Sequence, residues 1–433
     1  MVLKSRYLVL LCLLLLVKQS QGQNSSLVIE TRWLYDSEQN RFLENQKILI
    51  SGNQIKAVGS KIDVPSGARV IQLSAGSVSP GLIDLHSHIL THQKLSDNLA
   101  IDSWINSPAK RVLRGVGFAR EYLQAGFTAI RDLGNSGYYL DQELANAVGR
   151  GHVEGPQMFC SGPILSAMDG QFYQLPFESR QPIASQEYRI IRGKADAIEA
   201  VKEHVNNGVH VIKIVAFGER LGLELEEMQA IVKTAHAHGL KVTAHSTGGQ
   251  ALSDAIAAGV DGIEHGYYIP DSLLRKMAEK KIYLVPTDPS MNSIIISQKA
   301  QRETKIDSAA IRKELQPLSD RLLRAKKAKV LLAAGSDAYF DVPVSRGDAA
   351  KESIVAYVEE GLSVEDALQM ATLNAAKVLG QEGSIGVIKP GKSANLVLYD
   401  GDLKNTFQKT LFNVSMVIKD GKIVYSRAGM AAN

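Results

Sequence analysis

The strongest constraint on the fold of this chain is an alternation of short apolar runs with helical patterns between residues 80 and 380. After most of the apolar runs come stretches in which apolar residues recur every three or four positions. Several runs are apolar throughout, as expected for parallel strands covered by helices on one face and by a packed barrel interior on the other. The pattern predicts an α/β fold, a (β/α)₈ TIM barrel. The eight predicted strands are residues 81–85, 128–132, 157–161, 209–216, 241–244, 262–265, 283–286 and 330–336.

The two ends of the chain have a different pattern, with short strands separated by turns. Neither end is long enough for a stable sheet of its own. We therefore expect both ends to pair in one small β-sandwich domain. The predicted organisation is a signal peptide at 1–22, a composite β domain from 23–79 and 381–433, and the barrel at 80–380. Within the barrel, the polar helical stretch 297–329 is predicted to be an elaborated connection near the mouth of the site.

The first residues predict export. Lys4 and Arg6 precede an apolar run at 7–17, and small residues at positions 20 and 22 precede an expected cleavage before Gln23. This pattern is typical of a secretory signal peptide, and the run is too short to span a membrane. We expect a periplasmic or secreted protein without a stable membrane anchor.

Charge and cysteine content exclude further classes of protein. The predicted leader contains three of the 49 basic residues and none of the 45 acidic ones, so the remainder has a net charge of +1. This gives no electrostatic basis for binding nucleic acid. Removal of the leader also leaves Cys160 as the one cysteine, so no intrachain disulfide can form. We expect Cys160 to be a buried structural thiol.

His86 and His88 end the first predicted barrel strand, in the segment PGLIDLHSH at 80–88. Side chains alternate along a strand, so both imidazoles are expected on one face, where they would form half of a metal site. A second pair with the same spacing, His236 and His238, lies at the end of a helical pattern. Residues two apart on a helix point in different directions, so the second pair is not expected to share a ligand.

Four more polar residues occupy the ends or interiors of predicted strands. Active residues of a barrel lie at the carboxyl ends of its strands. We therefore expect the two histidines to meet the further candidates Lys213, His245, His265 and Asp337.

Lys213 lies inside the apolar segment VIKIV at 211–215. Burial of an ammonium group is costly and lowers its pKa. A neutral amine can react with carbon dioxide to give a carbamate, an anion that can bridge two metal ions. The alternative is an ammonium group that reaches past the strand end to a Glu or Asp carboxylate.

The combination of these residues resembles the amidohydrolase superfamily of metal-dependent hydrolases. The resemblance includes TAIRDLG at 128–134, IEHG at 263–266 and the tail from 371 to 396. The segments around Lys213 and His236 are most similar to the imidazolonepropionase-related branch, which includes exported Xaa-Pro dipeptidases and other hydrolases of acylated amino acids. A segment often rich in Gly and His after the third strand is AMDGQ at 167–171 here, which predicts altered substrate contacts.

The resemblance implies a metal centre with two zinc ions. His86 and His88 would bind the more buried ion beside Asp337, while His245 and His265 bind the second. Carboxylated Lys213 would bridge them. A metal-activated hydroxide would then cleave a C–N bond, with Asp337 as general base and then general acid.

The expected substrate is a small molecule with an amide bond, either an Xaa-Pro dipeptide or an N-acyl amino acid. One alternative is a mononuclear cyclic-amide hydrolase or deaminase of the same superfamily, in which Lys213 is not carboxylated. An isomerase or lyase on the same scaffold and a non-catalytic binding relative are further alternatives. The sequence is compatible with a homo-oligomer.

Overall fold

The computed structural model describes residues 26–172, 174–217, 221–303 and 305–428. The predicted signal peptide at 1–22 lies outside the described residues. Within the described ranges, no helix combines the length and the apolar character that a membrane crossing requires.

The described strands belong either to the central barrel or to a sheet built from both ends of the chain. In chain order they are β1 (Leu27–Asp36), β2 (Arg41–Ser51), β3 (Gln54–Gly59), β4 (Arg69–Pro80), β5 (Leu82–Ser87), β6 (Phe127–Asp132), β7 (Gln157–Cys160), β8 (Ile164–Ser166), β9 (Tyr188–Ile190), β10 (Val211–Val215), β11 (Lys241–Ser246), β12 (Gly262–His265), β13 (Tyr283–Val285), β14 (Leu396–Tyr399), β15 (Val414–Lys419) and β16 (Lys422–Ser426).

The helices lie almost entirely between the two β-rich ends. They are α1 (Leu99–Ile105), α2 (Pro108–Ala125), α3 (Leu140–Gly149), α4 (Phe177–Glu187), α5 (Lys194–Asn206), α6 (Leu225–Ala237), α7 (Gly249–Ala258), α8 (Asp271–Lys280), α9 (Met291–Ala300), α10 (Ser308–Lys327), α11 (Arg346–Glu359), α12 (Val364–Gln369), a π-helical turn (Met370–Asn374), α13 (Ala375–Leu379) and α14 (Phe407–Leu411).

The central strands form a parallel barrel. Strands β5, β6 and β7 pair in sequence, and a second sheet has the order β13-β12-β11-β10-β8-β9. The two sheets are joined on one side where His210 N donates to Cys160 O at 2.8 Å. On the other side the segment 330–337 lies between β13 and β5, with Leu284 N donating to Leu331 O and Asp337 N to His86 O. The predicted (β/α)₈ barrel fold is confirmed.

Two barrel strands differ from the predicted runs. The third run continues beyond Cys160 as the separate strand β8, because Gly162 adopts a φ of 66° and is followed by Pro163, which has no N–H. The run at 330–336 makes only isolated strand pairing, between Leu332 and Leu284. Its hydrogen bonds are divided between β13 and β5, so it closes the barrel without a regular ladder.

The two ends of the chain share a seven-stranded sheet with the order β16-β15-β14-β4-β1-β2-β3. Strand β14 from the second half pairs antiparallel with β4 from the first half. Residues from distant strands of this sheet, including Ile55, Leu396 and Ile418, belong to one buried cluster. The β domain is therefore a single hydrogen-bonded sheet that closes over its own apolar face.

The β domain leads directly into the strand that carries the histidine pair. Strand β4 ends at Pro80 and β5 begins at Leu82, with Gly81 between them. Gly81 N donates to Asn395 O at 2.8 Å. A Cβ at Gly81 would lie 2.1 Å from the Thr128 hydroxyl, so only glycine allows this approach of β5 to β6. The start of β5 is thereby fixed to the β domain.

Candidate metal centre

A cavity of about 70 Å³ lies at the carboxyl ends of the barrel strands. All six residues predicted from the sequence line it: His86, His88, Lys213, His245, His265 and Asp337. The remaining lining residues are Leu99, Asn135, Ile164, Gln171 and Tyr339. Side chains from five different strand ends therefore meet at one place.

His86 and His88 lie on the same side of the cavity, with ring centroids 5.2 Å apart. Asp337 Oδ1 lies 3.6 Å from Nε2 of His86 and 3.2 Å from Nε2 of His88. Strict alternation along β5 is not what brings them together. The ladder between β5 and β6 shifts register between Asp84 and Ser87, and His88 follows the last strand residue.

Each of these histidines has one ring nitrogen that is already engaged. Nδ1 of His86 lies 2.8 Å from Oε2 of Glu264, and Nδ1 of His88 lies 2.6 Å from the Gly134 carbonyl oxygen. A carboxylate and a carbonyl oxygen accept hydrogen bonds, so both Nδ1 atoms donate. The Nε2 lone pairs are then available to a metal, which is the arrangement of metal-binding histidines.

Glu264 holds His86 from inside the barrel. Its Oε1 accepts from Nη2 of Arg131 at 2.6 Å and from the Thr243 hydroxyl. Burial alone would raise the pKa of Glu264, but the Arg131 charge and the His86 hydrogen bond hold the pKa well below its usual range. The sequence reasoning missed this role of Glu264. Its available signal was a carboxylate inside an apolar strand, next to a candidate ligand.

His245 and His265 form the other side of the cavity, with ring centroids 4.6 Å apart. His265 has a φ of 73°, and its Nδ1 lies 2.7 Å from the Thr287 hydroxyl. Burial, reinforced by the Lys213 charge, lowers the pKa of His245 to about 3. Burial and the neighbouring His245 lower the pKa of His265 well below its usual value. Both rings are neutral at pH 7, the state in which imidazole binds metal.

Lys213 is buried, and its Nζ has no hydrogen-bond partner. Burial lowers its pKa to about 8, although the charges of Glu264 and Asp337 partly oppose this shift. Among the described residues, no carboxylate forms an ion pair with Lys213, so the alternative of an ammonium–carboxylate pair is not found. Buried polar groups are almost always hydrogen-bonded, so an orphaned amine at a cavity wall is typical of a site that holds a bound group.

Asp337 lies at the barrel closure with a φ of 53°, and its N–H donates to His86 O at 2.8 Å. Burial would raise the pKa of its carboxyl group, but His86 and His88 hold the pKa well below its usual range. Its Oδ1 has no hydrogen-bond partner. The neighbouring Ser336 is fixed by Asp84, which accepts from both the Ser336 N–H and its hydroxyl. The Asp337 carboxylate is thus ionised and directed at the histidine pair.

This donor set fits a divalent metal. Ligand atoms of His86, His88 and Asp337 all lie within 4.8 Å of one another. Neutral imidazoles and carboxylate oxygens bind zinc and related first-row ions. The orphaned Nζ of Lys213 and Oδ1 of Asp337 are what a site built for a bound group would present.

The second histidine pair, Cys160 and several further polar residues lie elsewhere or have structural contacts. His236 pairs with Asp261 at 2.8 Å on the surface, and His238 caps α6. Arg346 donates to backbone carbonyls of Thr91 and Ala338. Cys160 is a buried free thiol. Arg180 pairs with Asp169, the Tyr267 hydroxyl lies 3.1 Å from the Thr287 hydroxyl, and Tyr268 is exposed.

The fold and this constellation define a class of protein. The sequence profile of the Amidohydrolase family matches residues 77–424, which include the whole barrel and most of the carboxyl-terminal part of the β domain. The chain belongs to the Amidohydrolase family, whose members are generally metal-dependent hydrolases.

Individual relatives agree with this assignment. Ochratoxinase from Aspergillus niger is 28% identical over 389 residues, which cover 82% of this chain and 77% of the relative. A solved Xaa-Pro dipeptidase with bound methionine in its active site is 26% identical, with a TM-score of 0.78, and the match covers 93% of this chain and 100% of the other. A prolidase complexed with N-methylphosphonate-L-proline is 27% identical, also with a TM-score of 0.78, over 93% of this chain and 100% of the other.

Proposed function

We propose that this protein is a zinc-dependent amidohydrolase that cleaves the C–N bond of Xaa-Pro dipeptides or N-acyl amino acids. The observation that carries the proposal is the meeting of four imidazoles, a carboxylate and an unpaired buried amine around one cavity. The Xaa-Pro dipeptidase and prolidase structures that resemble this chain support the choice of substrate.

The residues divide into two sets of ligands under this proposal. His86, His88 and Asp337 would hold the first ion, and His245 and His265 would hold the second. Lys213 Nζ would attack carbon dioxide and release a proton to give a carbamate, whose anionic oxygens would add ligands for the metal. The chemistry that bound zinc supplies is Lewis acidity, which lowers the pKa of water toward about 7 and polarises a carbonyl.

Asp337 would act first as general base and then as general acid. Its carboxylate is ionised at neutral pH and lies beside the histidine pair, so it can accept the proton of the attacking water. The water oxygen forms a bond to the carbonyl carbon, the C–N bond breaks, and Asp337 delivers its proton to the leaving nitrogen. The products are a carboxylic acid and an amine.

A screen of the purified protein against dipeptides and N-acyl amino acids tests the proposal. We expect hydrolysis of at least one Xaa-Pro dipeptide or N-acyl amino acid, and loss of that activity in Asp337→Asn, which keeps the shape of the side chain without its base. If none of these compounds is cleaved while a cyclic amide is opened or ammonia is released from an amino-substituted ring, the mononuclear alternative replaces the proposal. Metal analysis then distinguishes one ion per chain from two.

We also propose that the protein is exported, because residues 1–22 have the sequence pattern of a secretory signal peptide. Amino-terminal sequencing of the mature protein from its native host tests this. The expected first residue is near Gln23, and a mature chain that begins at Met1 contradicts export by this route.

A further inference from the structure

A second cavity, of about 450 Å³, lies beside the metal-binding cavity. We name this cavity the side chamber. Asp337 lines both cavities, and Tyr267 and Thr287, which contact His265, also line the side chamber. The side chamber therefore adjoins the candidate catalytic centre, and its volume falls within the range of small-molecule sites.

One face of α9 forms a wall of the side chamber. Ile294, Ser297, Gln298 and Gln301 recur there at helical spacing. The segment that follows Asp337 contributes apolar side chains opposite, namely Ala338, Phe340, Val342 and Val344. Phe340 and Val344 are each 37% exposed, so the chamber offers apolar surface that an occupant could cover.

The charged side chains that line the chamber are all acidic: Asp288, Glu314, Asp337 and Glu352. None of its described lining residues is a lysine, an arginine or a histidine. Asp288 is paired with the buried Arg321, and Glu352 accepts hydrogen bonds from Ser290 and Asn292. Arg321 offsets the charge of Asp288 alone, so an anionic group entering the chamber would meet further carboxylates with no cation in the described lining, at a cost in free energy.

The position of Asp337 assigns the chamber to one side of the substrate. In the proposed reaction Asp337 protonates the leaving nitrogen, so that nitrogen faces Asp337. The amino-acid side chain on the Cα next to this nitrogen can then extend past Asp337 into the side chamber, whereas the α-carboxylate on the same Cα must point away from the acidic lining.

We infer that the side chamber binds the side chain of the amino acid released on the amine side of the scissile bond, and that this side chain is apolar. This inference rests on the proposed function and deepens it. Leucine, phenylalanine or proline would displace water from Ile294, Phe340 and Val344, whereas glycine would leave that surface hydrated. An aspartate side chain would place its carboxylate among the acidic residues that line the chamber.

The test is a series of N-acetyl amino acids that share the acyl group and the α-carboxylate and differ only in side chain. We expect kcat/KM for the phenylalanine and leucine members to exceed that of the glycine member by about tenfold or more, and that of the aspartate member by about a hundredfold. A flat ranking, or a preference for aspartate, overturns the inference while leaving amide hydrolysis intact. Absence of hydrolysis throughout this series and the Xaa-Pro dipeptides contradicts the proposed function itself.

Two variants test whether the selectivity for apolar side chains arises in the side chamber. Ile294→Lys and Val344→Lys each add a cation to the lining and should reduce the phenylalanine-to-aspartate ratio of kcat/KM at least tenfold. Ile295→Lys is the matched control, since Ile295 is half-buried on the same helix and does not line the chamber. Because Val344 is partly exposed, its lysine variant should fold even if Ile294→Lys does not. Equal ratios in Val344→Lys and Ile295→Lys would overturn the inference.

Discussion

Glu264 and His86 are joined by a hydrogen bond of 2.8 Å between Oε2 and Nδ1, although 178 positions separate them in the chain. The other oxygen of this carboxylate accepts from Arg131, which also donates to the Tyr283 hydroxyl and to Leu85 O. With Thr243, which also donates to Glu264, four barrel strands besides the one that carries His86 hold a single imidazole in orientation. Such support behind a ligand sets both its ring orientation and its basicity.

The first prediction concerns this support. Glu264→Gln keeps the size of the side chain but removes the charge that faces Arg131 and His86. We expect the affinity for zinc to fall by about 10- to 100-fold, as for other changes behind a metal-binding histidine. Competition with a chromogenic chelator measures the affinity. His236→Ala is the control, because His236 is a surface residue paired with Asp261. Equal zinc affinity in the two variants would show that Glu264 does not support a ligand.

The second prediction concerns Gly262, at the start of β12. A Cβ there would lie 1.9 Å from the Tyr283 ring, whose hydroxyl accepts from Arg131. Gly262→Ala must displace Tyr283 and should lower the free energy of unfolding by about 1–3 kcal/mol, the usual cost of overpacking.

Gly117 provides the matched control for Gly262. It lies inside α2, and a Cβ added there would meet no atom within 4 Å, so Gly117→Ala should stabilise the protein by about 0.5–1 kcal/mol. Urea denaturation measures both variants. Equal stabilities would contradict the packing described for the inside of the barrel.

The third prediction concerns Lys351, which is buried on α11 beside Asp348 and the Phe412 ring. Burial lowers its pKa from 10.5 to about 8. Below pH 8 the folded protein carries this buried charge, and the desolvation of the ammonium group lowers the free energy of unfolding by its full amount. Between pH 8 and 10.5 the folded state loses the proton before the unfolded state does, so wild-type stability gains with rising pH.

Lys351→Met removes this penalty. We expect the variant to be more stable than the wild type by about 2 kcal/mol at pH 7, with the advantage shrinking toward pH 10. Urea titrations at several pH values measure the difference, and Lys313→Met, at an exposed position of α10, should show no such trend. A constant difference across this pH range would contradict the assignment of the effect to the Lys351 charge.

The barrel and the six candidate site residues could be predicted from the sequence because both depend on local patterns. Apolar runs mark buried parallel strands, and a polar residue at the end of such a run lies at the mouth of a barrel. His86, His245 and His265 each follow this rule, and all three line the cavity.

Features that depend on pairing between distant strands could not be predicted. To predict the contact of Glu264 with Arg131, one would need to know which side chains face the barrel interior at the same level along the barrel axis. The short strand β8 is separated from β7 by the turn at Gly162, where positive φ interrupts the strand. The side chamber depends on the packing of α9 against the segment 338–344, and no spacing within either segment encodes that contact.

The measurement that tests the two-metal centre most directly is the metal content of the wild type and of Lys213→Ala after growth with zinc and bicarbonate. We predict two zinc ions per chain in the wild type. In Lys213→Ala we predict about one ion and loss of most activity, because the bridging group is missing. His236→Ala should match the wild type. A Lys213→Ala protein with wild-type zinc content and wild-type activity would contradict the two-metal centre.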